Sequence, residues 1–205
     1  MIVSTPFIVL DKHPCRESAL LLRGASPDYG KMAVMLHRAE SIDANHFALV
    51  DKFRELEIEF KDDRPAEVRT LDRMELTTDF TAVADKVKNF AMAERIGAFL
   101  LKNLPENLPQ PYTYDALRSV LSQLSGAETV YPWTLEQCAV VIKCTYLYEN
   151  GLLPDGCTER QSEFLENLVA AGIDNSELPP CDPGYWGKLN SWLNTLLEYQ
   201  NLSRN

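Results

Sequence analysis

Two periodicities divide the chain. Up to about residue 80 the apolar positions come in short runs with a period near two; beyond Thr81 they recur every three to four residues. Ile8-Val9-Leu10, Ser18-Ala-Leu-Leu-Leu-Arg23 and Met32-Ala-Val-Met-Leu-His-Arg38 are separated by Pro14 and by the turn Ser26-Pro-Asp-Tyr-Gly-Lys31. Brief apolar runs between Pro, Gly and Asp turns predict consecutive antiparallel strands. The polar stretch 41–47 then leads into 48–54, where a short helical or irregular piece is expected. Glu55-Leu-Glu-Ile-Glu-Phe60 alternates strictly, which puts Leu56, Ile58 and Phe60 on one face and three glutamates on the opposite, solvated face. After a turn at 61–65, Val68 to Leu76 predicts a fifth strand. Five short strands with a longer connection between the third and fourth fit a small closed Greek-key barrel of the OB type. An SH3-like barrel has similar strand content.

The second part reads as helices. Val83, Val87, Phe90, Ala93, Gly97 and Leu100 share one helical face, and Met92, Ile96 and Phe99 line another, until Pro105, Pro109 and Pro111 end the pattern. Tyr114, Leu117, Leu121 and Leu124 mark a second helix stopped at Gly126. Thr134 with Gln137, and Thr158 with Gln161, have capping-box spacing. The first opens Leu135 to Glu149, apolar nearly all round and suited to the centre of a bundle; the second opens a helix for which Gly172 is the expected stop. Asp182-Pro183 has the form of an N-cap followed by proline at the first helical position, and Tyr185, Leu189, Trp192, Leu196 and Tyr199 continue from it. The expected architecture is therefore α+β: residues 1–80 form a five-stranded OB-fold barrel, and 81–205 an all-α helical bundle.

The charge balance restricts what such a barrel can bind. The chain carries a formal net charge of −10, so its surface as a whole repels polyanions. Residues 1–80 hold 11 Lys/Arg against 15 Asp/Glu, and only the window 12–38 is positive, with Lys12, Arg16, Arg23, Lys31 and Arg38 against Glu17 and Asp28. Asp11 and Lys12 interrupt the first apolar stretch, so no signal peptide is expected, and no apolar run reaches membrane-spanning length. Five cysteines, Cys15, Cys138, Cys144, Cys157 and Cys181, without a C-x-x-C pair fit free thiols in a reducing, cytoplasmic setting, with Cys138 and Cys144 in core packing.

No catalytic site is expected. His13, His37 and His46 stand alone, and no zinc-protease, nucleophile-elbow, phosphate-loop or dinucleotide motif occurs. The basic window offers a different chemistry. On a small barrel, Lys12, Arg16, Arg23, Lys31 and Arg38 can follow the phosphates of a single strand, and Tyr29, at the turn tip, can stack a base. No cofactor and no metal are expected.

A specific likeness accompanies these patterns. Pro6-Phe-Ile-Val-Leu-Asp-Lys-His-Pro-Cys-Arg-Glu-Ser18, then Leu20-Leu-Leu and Ser26-Pro-Asp-Tyr-Gly-Lys31 before an apolar strand, resembles the N-terminus of the bacterial recombination mediator RecO. Leu56-Glu-Ile-Glu-Phe60 is similar to that family's fourth strand. Asn89 to Leu104 with Tyr112-Thr-Tyr-Asp-Ala-Leu117 is similar to its first two helices, and Leu135 to Asp155 to its central helix and exit. The likeness spans roughly residues 6–156. It implies an N-terminal OB fold, a helical C-terminal domain, and a non-enzymatic role in recombinational DNA repair. It also implies binding of single- and double-stranded DNA, with a RecR-like partner and the single-stranded-DNA-binding protein, and it makes Arg16, Arg23, Lys31 and Arg38 phosphate contacts. The chain departs from the family at 38–43, neutral to acidic where relatives are basic, and at Cys157 and Cys181, which lack the paired spacing of a four-cysteine zinc module. A protein–protein adaptor of the same architecture, with weak or no DNA binding, is the alternative.

Overall fold

The computed structural model describes residues 2–15, 19–37, 50–62, 67–126 and 130–200. The fold is α+β, a five-stranded sheet followed by helices. It divides into two compact units, one of residues 1–82 with 100–111, the other of 83–99 with 112–205. Sequence pattern alone assigned the stretch 100–111 to the helical half.

The strands are β1 (Ile2–Cys15), β2 (Ala19–Ser26), β3 (Gly30–His37), β4 (Arg54–Lys61) and β5 (Arg69–Asp79). They follow the order β1-β2-β3-β5-β4 and close on themselves, because residues 2–8 of β1 pair with β4 while residues 8–15 pair with β2. A register shift between Val9 and Asp11 lets one long strand serve both neighbours. β3 and β5 meet in parallel through Val34 with Arg69 and Met35 with Thr70. Gly24 is required at the β1–β2 crossing: a Cβ there would lie 2.0 Å from the Ile8 carbonyl oxygen. Alternation builds the core, with Phe7, Val9, Leu22, Met32, Val34, Leu36, Leu56, Ile58, Phe60, Leu71 and Met74 all turned inward.

One expectation is corrected in this unit. Glu55 does not join Glu57 and Glu59 on the open face; it is buried and accepts a 2.7 Å hydrogen bond from Thr78 Oγ1. The register shift between Glu55 and Leu56 breaks the alternation there. Residues 50–53 take the irregular of the two forms expected there: Phe53 is buried in a left-handed conformation (φ 62°), its N–H donating to the Val9 carbonyl at 2.8 Å.

The proline-rich stretch after the first helix does more than end it. Lys31 N–H donates to the Pro105 carbonyl at 2.9 Å, and Gln110 N–H to the Pro27 carbonyl at 2.8 Å. Gly30 permits this contact: its φ is +63°, and a Cβ would stand 2.4 Å from the Pro105 oxygen and 2.6 Å from that of Leu108.

Five α-helices follow among the described residues: α1 (Val87–Asn103), α2 (Pro111–Ser125), α3 (Leu135–Glu149), α4 (Glu159–Asp174) and α5 (Pro183–Tyr199). Both capping boxes form, Thr134 with Gln137 and Thr158 with Gln161, and Asp182 caps α5 through Gly184 N–H. Every residue of α3 from Cys138 to Leu147 is buried, as a central helix requires. Burial pushes the Cys138 and Cys144 thiols up to about 12, which keeps them protonated. Gly172 is not the stop expected of it. α4 runs to Asp174 and ends on Asn175 in the left-handed region, while Gly172 lets α4 approach α3: a Cβ would lie 2.6 Å from Val141 Cγ1. None of these helices is long and apolar enough to cross a membrane.

Candidate nucleic-acid interface

Lys12, Arg23 and Lys31, the described cations of the positive window, each lie within ion-pair distance of a carboxylate. Asp11 and Arg23 are direct partners across β1 and β2. Arg23 donates through Nε (3.1 Å) and Nη2 to Asp11 Oδ2, and its Nη2 also lies 2.8 Å from His13 Nε2. That same His13 nitrogen is 2.8 Å from Asp11 Oδ2. One ring nitrogen cannot accept from a guanidinium and donate to a carboxylate together, so the two bonds alternate with the protonation of that nitrogen. Burial acts to raise the Asp11 pKa, but the bond and charge of Arg23, with His13, outweigh it and hold the carboxyl below its usual range.

A second acid–base pair adjoins the first. Lys12 Nζ is 2.8 Å from Asp51 Oδ1 and 3.5 Å from the Val50 carbonyl, and Lys52 Nζ approaches Asp11 Oδ1 at 4.0 Å. The Asp51 carboxyl is likewise lowered: burial opposes, and Lys12 and the Lys52 N–H prevail. Lys12, Arg23 and Lys52 against Asp11 and Asp51 leave one net positive charge, with a second when His13 is protonated. Pairs this exposed contribute about 0–1 kcal/mol each, so a phosphate can compete for their cations.

The remaining residues of the predicted set are distributed differently. Lys31 pairs with Glu106 at 3.1 Å; it lies diagonally from Arg23 on the same face of β2–β3. Tyr29, the predicted stacking residue, is half-buried. Its ring packs edge-on to Phe60 (5.5 Å between centroids), the Arg69 guanidinium covers it at 4.7 Å, and its hydroxyl donates to Asp62 at 3.3 Å. An apolar ring beside an open sheet end gains more from that contact than from solvent, so the turn folds it inward. Arg16 and Arg38 lie outside the described residues. Sequence reasoning missed Lys52 and Arg69: the first sits in a stretch with no clear period, and the second reads simply as the start of a strand.

Among the described residues no group of three or more His, Cys, Asp or Glu side chains is placed to hold a metal ion. No family model matches the chain, and no curated protein matches it. Among solved structures, an Entamoeba histolytica asparaginyl-tRNA synthetase is similar over 65% of this chain and 34% of its own, at 7% identity and a TM-score of 0.36. The chain thus spans about a third of that synthetase.

Proposed function

We propose that this protein is a non-enzymatic, RecO-like recombination mediator whose first unit is an OB-type barrel that holds DNA through its phosphates without sequence readout. The observation that carries the reading is the strand order β1-β2-β3-β5-β4 returning to β1, with helices after it. OB barrels bind nucleic acid on the face of strands 2 and 3, and Arg23 and Lys31 share that face here. Lys12, His13 and Lys52 extend the cationic surface along β1 and the 50–53 segment. The resemblance adds single- and double-stranded DNA, a RecR-like partner and the single-stranded-DNA-binding protein as expected partners.

The ion pairing favours one second reading, a protein–protein adaptor of RecO-like architecture with weak or no DNA binding. Each of Lys12, Arg23 and Lys31 has a carboxylate within ion-pair distance, and the chain as a whole is at −10.

Fluorescence anisotropy with a labelled single-stranded oligonucleotide across a salt series separates the two. Four phosphate contacts, from Lys12, Arg23, Lys31 and Lys52, give a log–log slope of about −3 on single strands. The triple substitution Lys12→Ala, Arg23→Ala, Lys52→Ala, which leaves Lys31, should flatten that slope to about −1. An unchanged slope rejects this surface, and no binding at low salt selects the adaptor.

A further inference from the structure

A cavity of about 140 Å³ opens within the first unit, lined by Arg23, Lys31, Arg69, Glu67, Glu106 and Asn107 among others. Its distinguishing member is Arg69. The side chain follows the inward row of Leu71 and is only 5% exposed, with its Cζ 4.7 Å from the Tyr29 ring centroid and 5.1 Å from that of Phe60. A guanidinium has five N–H donors and cannot be neutralised in a protein. Among the described residues it makes one hydrogen bond, from Nη2 to Asn107 Oδ1 at 2.5 Å. Its Nε is buried without a hydrogen-bond acceptor, and among the described residues its ion-pair partner Asp62 Oδ1 is 4.0 Å away, beyond hydrogen-bond reach. A buried charged donor left unmatched beside a polar cavity is a standing demand for an oxygen acceptor.

We propose that this cavity is an oxyanion site that takes one phosphate group. Arg69 forms its floor, and Arg23 and Lys31 close on the guest from β2 and β3. The space suits a tetrahedral oxyanion with accompanying water. Three cations line it with two carboxylates, Glu67 and Glu106, while Asp11 on Arg23 and Asp62 at 4.0 Å from Arg69 stand outside the lining. Glu106 is the weaker obstacle: its side chain is 55% exposed, so it can turn to solvent and release Lys31. A fork of planar donors with a point-charge lysine is the donor set that suits phosphate, whereas a metal ion would meet the wrong sign of charge at Arg69.

The source of the phosphate is separable by experiment. Inorganic phosphate is titrated into the full chain by calorimetry at constant ionic strength, with chloride as the balancing anion. The result expected is one saturable site. Asn107→Asp is the first variant: it keeps an acceptor for Arg69 and a residue type that tolerates the local φ of 57°, while placing a negative charge at the cavity. It should fold normally and weaken phosphate by about tenfold or more. Arg69→Lys, which keeps charge but loses the fork, should do the same. Should Arg69→Lys fail to fold, Asn107→Asp and Lys31→Gln carry the test. No saturable binding to the wild-type chain, or equal binding to Asn107→Asp, overturns the site. Displacement of bound phosphate by an unlabelled oligonucleotide supports the site and makes its guest a backbone phosphate; retention supports it and makes the guest a free phosphate or small monoester. Because inorganic phosphate is the probe, this site can fail while the DNA reading stands, and the reverse.

Discussion

Lys143 Nζ lies 2.8 Å from Asn194 Oδ1 inside the helical unit, and 3.0 Å from Asn190 Oδ1 one turn earlier on α5. Lys143 is 3% exposed on the central helix α3, so an ammonium is held by two neutral amide oxygens where a carboxylate would ordinarily be needed. Burial pushes its pKa down to about 8, while the amide acceptors favour the charged form.

Replacing Lys143 with Met should therefore stabilise the protein by about 1–3 kcal/mol at pH 7, since the two asparagines are only partly buried and can turn to water. The pH dependence gives a sharper signature. The folded-state value lies below the unfolded value of 10.5, so between pH 8 and 10.5 the unfolded chain binds the extra proton and stability rises with pH. Cys138 and Cys144 act in the opposite sense above about pH 9, because their folded values are raised. The measurement is thus the difference in urea midpoint between wild type and Lys143→Met: the advantage of the variant should shrink from pH 8 to pH 10. An advantage that stays constant sinks the assignment.

Gly172→Ala should cost about 1–2 kcal/mol despite the better helix propensity of alanine. The new methyl meets Val141 Cγ1 at 2.6 Å, and overpacking of a closed helix contact outweighs a propensity gain of about 1 kcal/mol. Adding Val141→Ala should make the pair less destabilised than the sum of the two single changes. Additive values from chemical denaturation would show that α4 and α3 do not meet at this point.

What was legible in the chain, and what was not, divides by sequence distance. The caps at Thr134, Thr158 and Asp182 were readable because donor and acceptor lie two or three residues apart. The inward rows of β3 and β4 were readable because alternation is local, and they failed at Glu55, where a register shift against β5 decides the face. Gly172 looks in sequence like any helix-ending glycine; only Val141, 31 residues away, shows that it is a contact. The candidate interface suffered most from this limit. Lys12 and Arg23 were visible as cations, but their acids, Asp51 and Asp11, stand across loops and strands. Arg69 had no local mark at all, since its partners Tyr29, Phe60 and Asn107 come from three other segments.

Acid should destabilise the first unit in a defined direction. Asp11, Asp51 and Asp79 are all held below the usual carboxyl value of 3.8. For Asp79, burial works upward but the Thr81 hydrogen bonds and Arg54 prevail. Groups with depressed folded values contribute stability above the unfolded value, and that stability is lost as pH falls through the folded values. Melting temperature should therefore drop as pH is lowered below about 4, and the drop should be shallower in Asp51→Asn. Identical acid profiles for the two proteins would remove Asp51 from this account.

The Asp11 carboxylate is also the part of the candidate interface that works against DNA. It occupies Arg23 and His13 directly and Lys52 at 4.0 Å, so a phosphate must displace it to reach any of the three. Asp11→Asn keeps an acceptor of the same shape while removing the charge. Under the mediator reading this substitution should tighten single-stranded DNA binding by about three- to tenfold at low salt and steepen the salt slope, because an uncompensated Arg23 neutralises one more phosphate. Stability should fall by about 1 kcal/mol, as expected for losing a half-exposed pair. Anisotropy of a labelled oligonucleotide at 50 mM and 200 mM salt reads both effects. If Asn at this position leaves affinity unchanged while Arg23→Ala also leaves it unchanged, phosphate does not reach the β1–β2 surface, and the adaptor reading gains what the mediator loses.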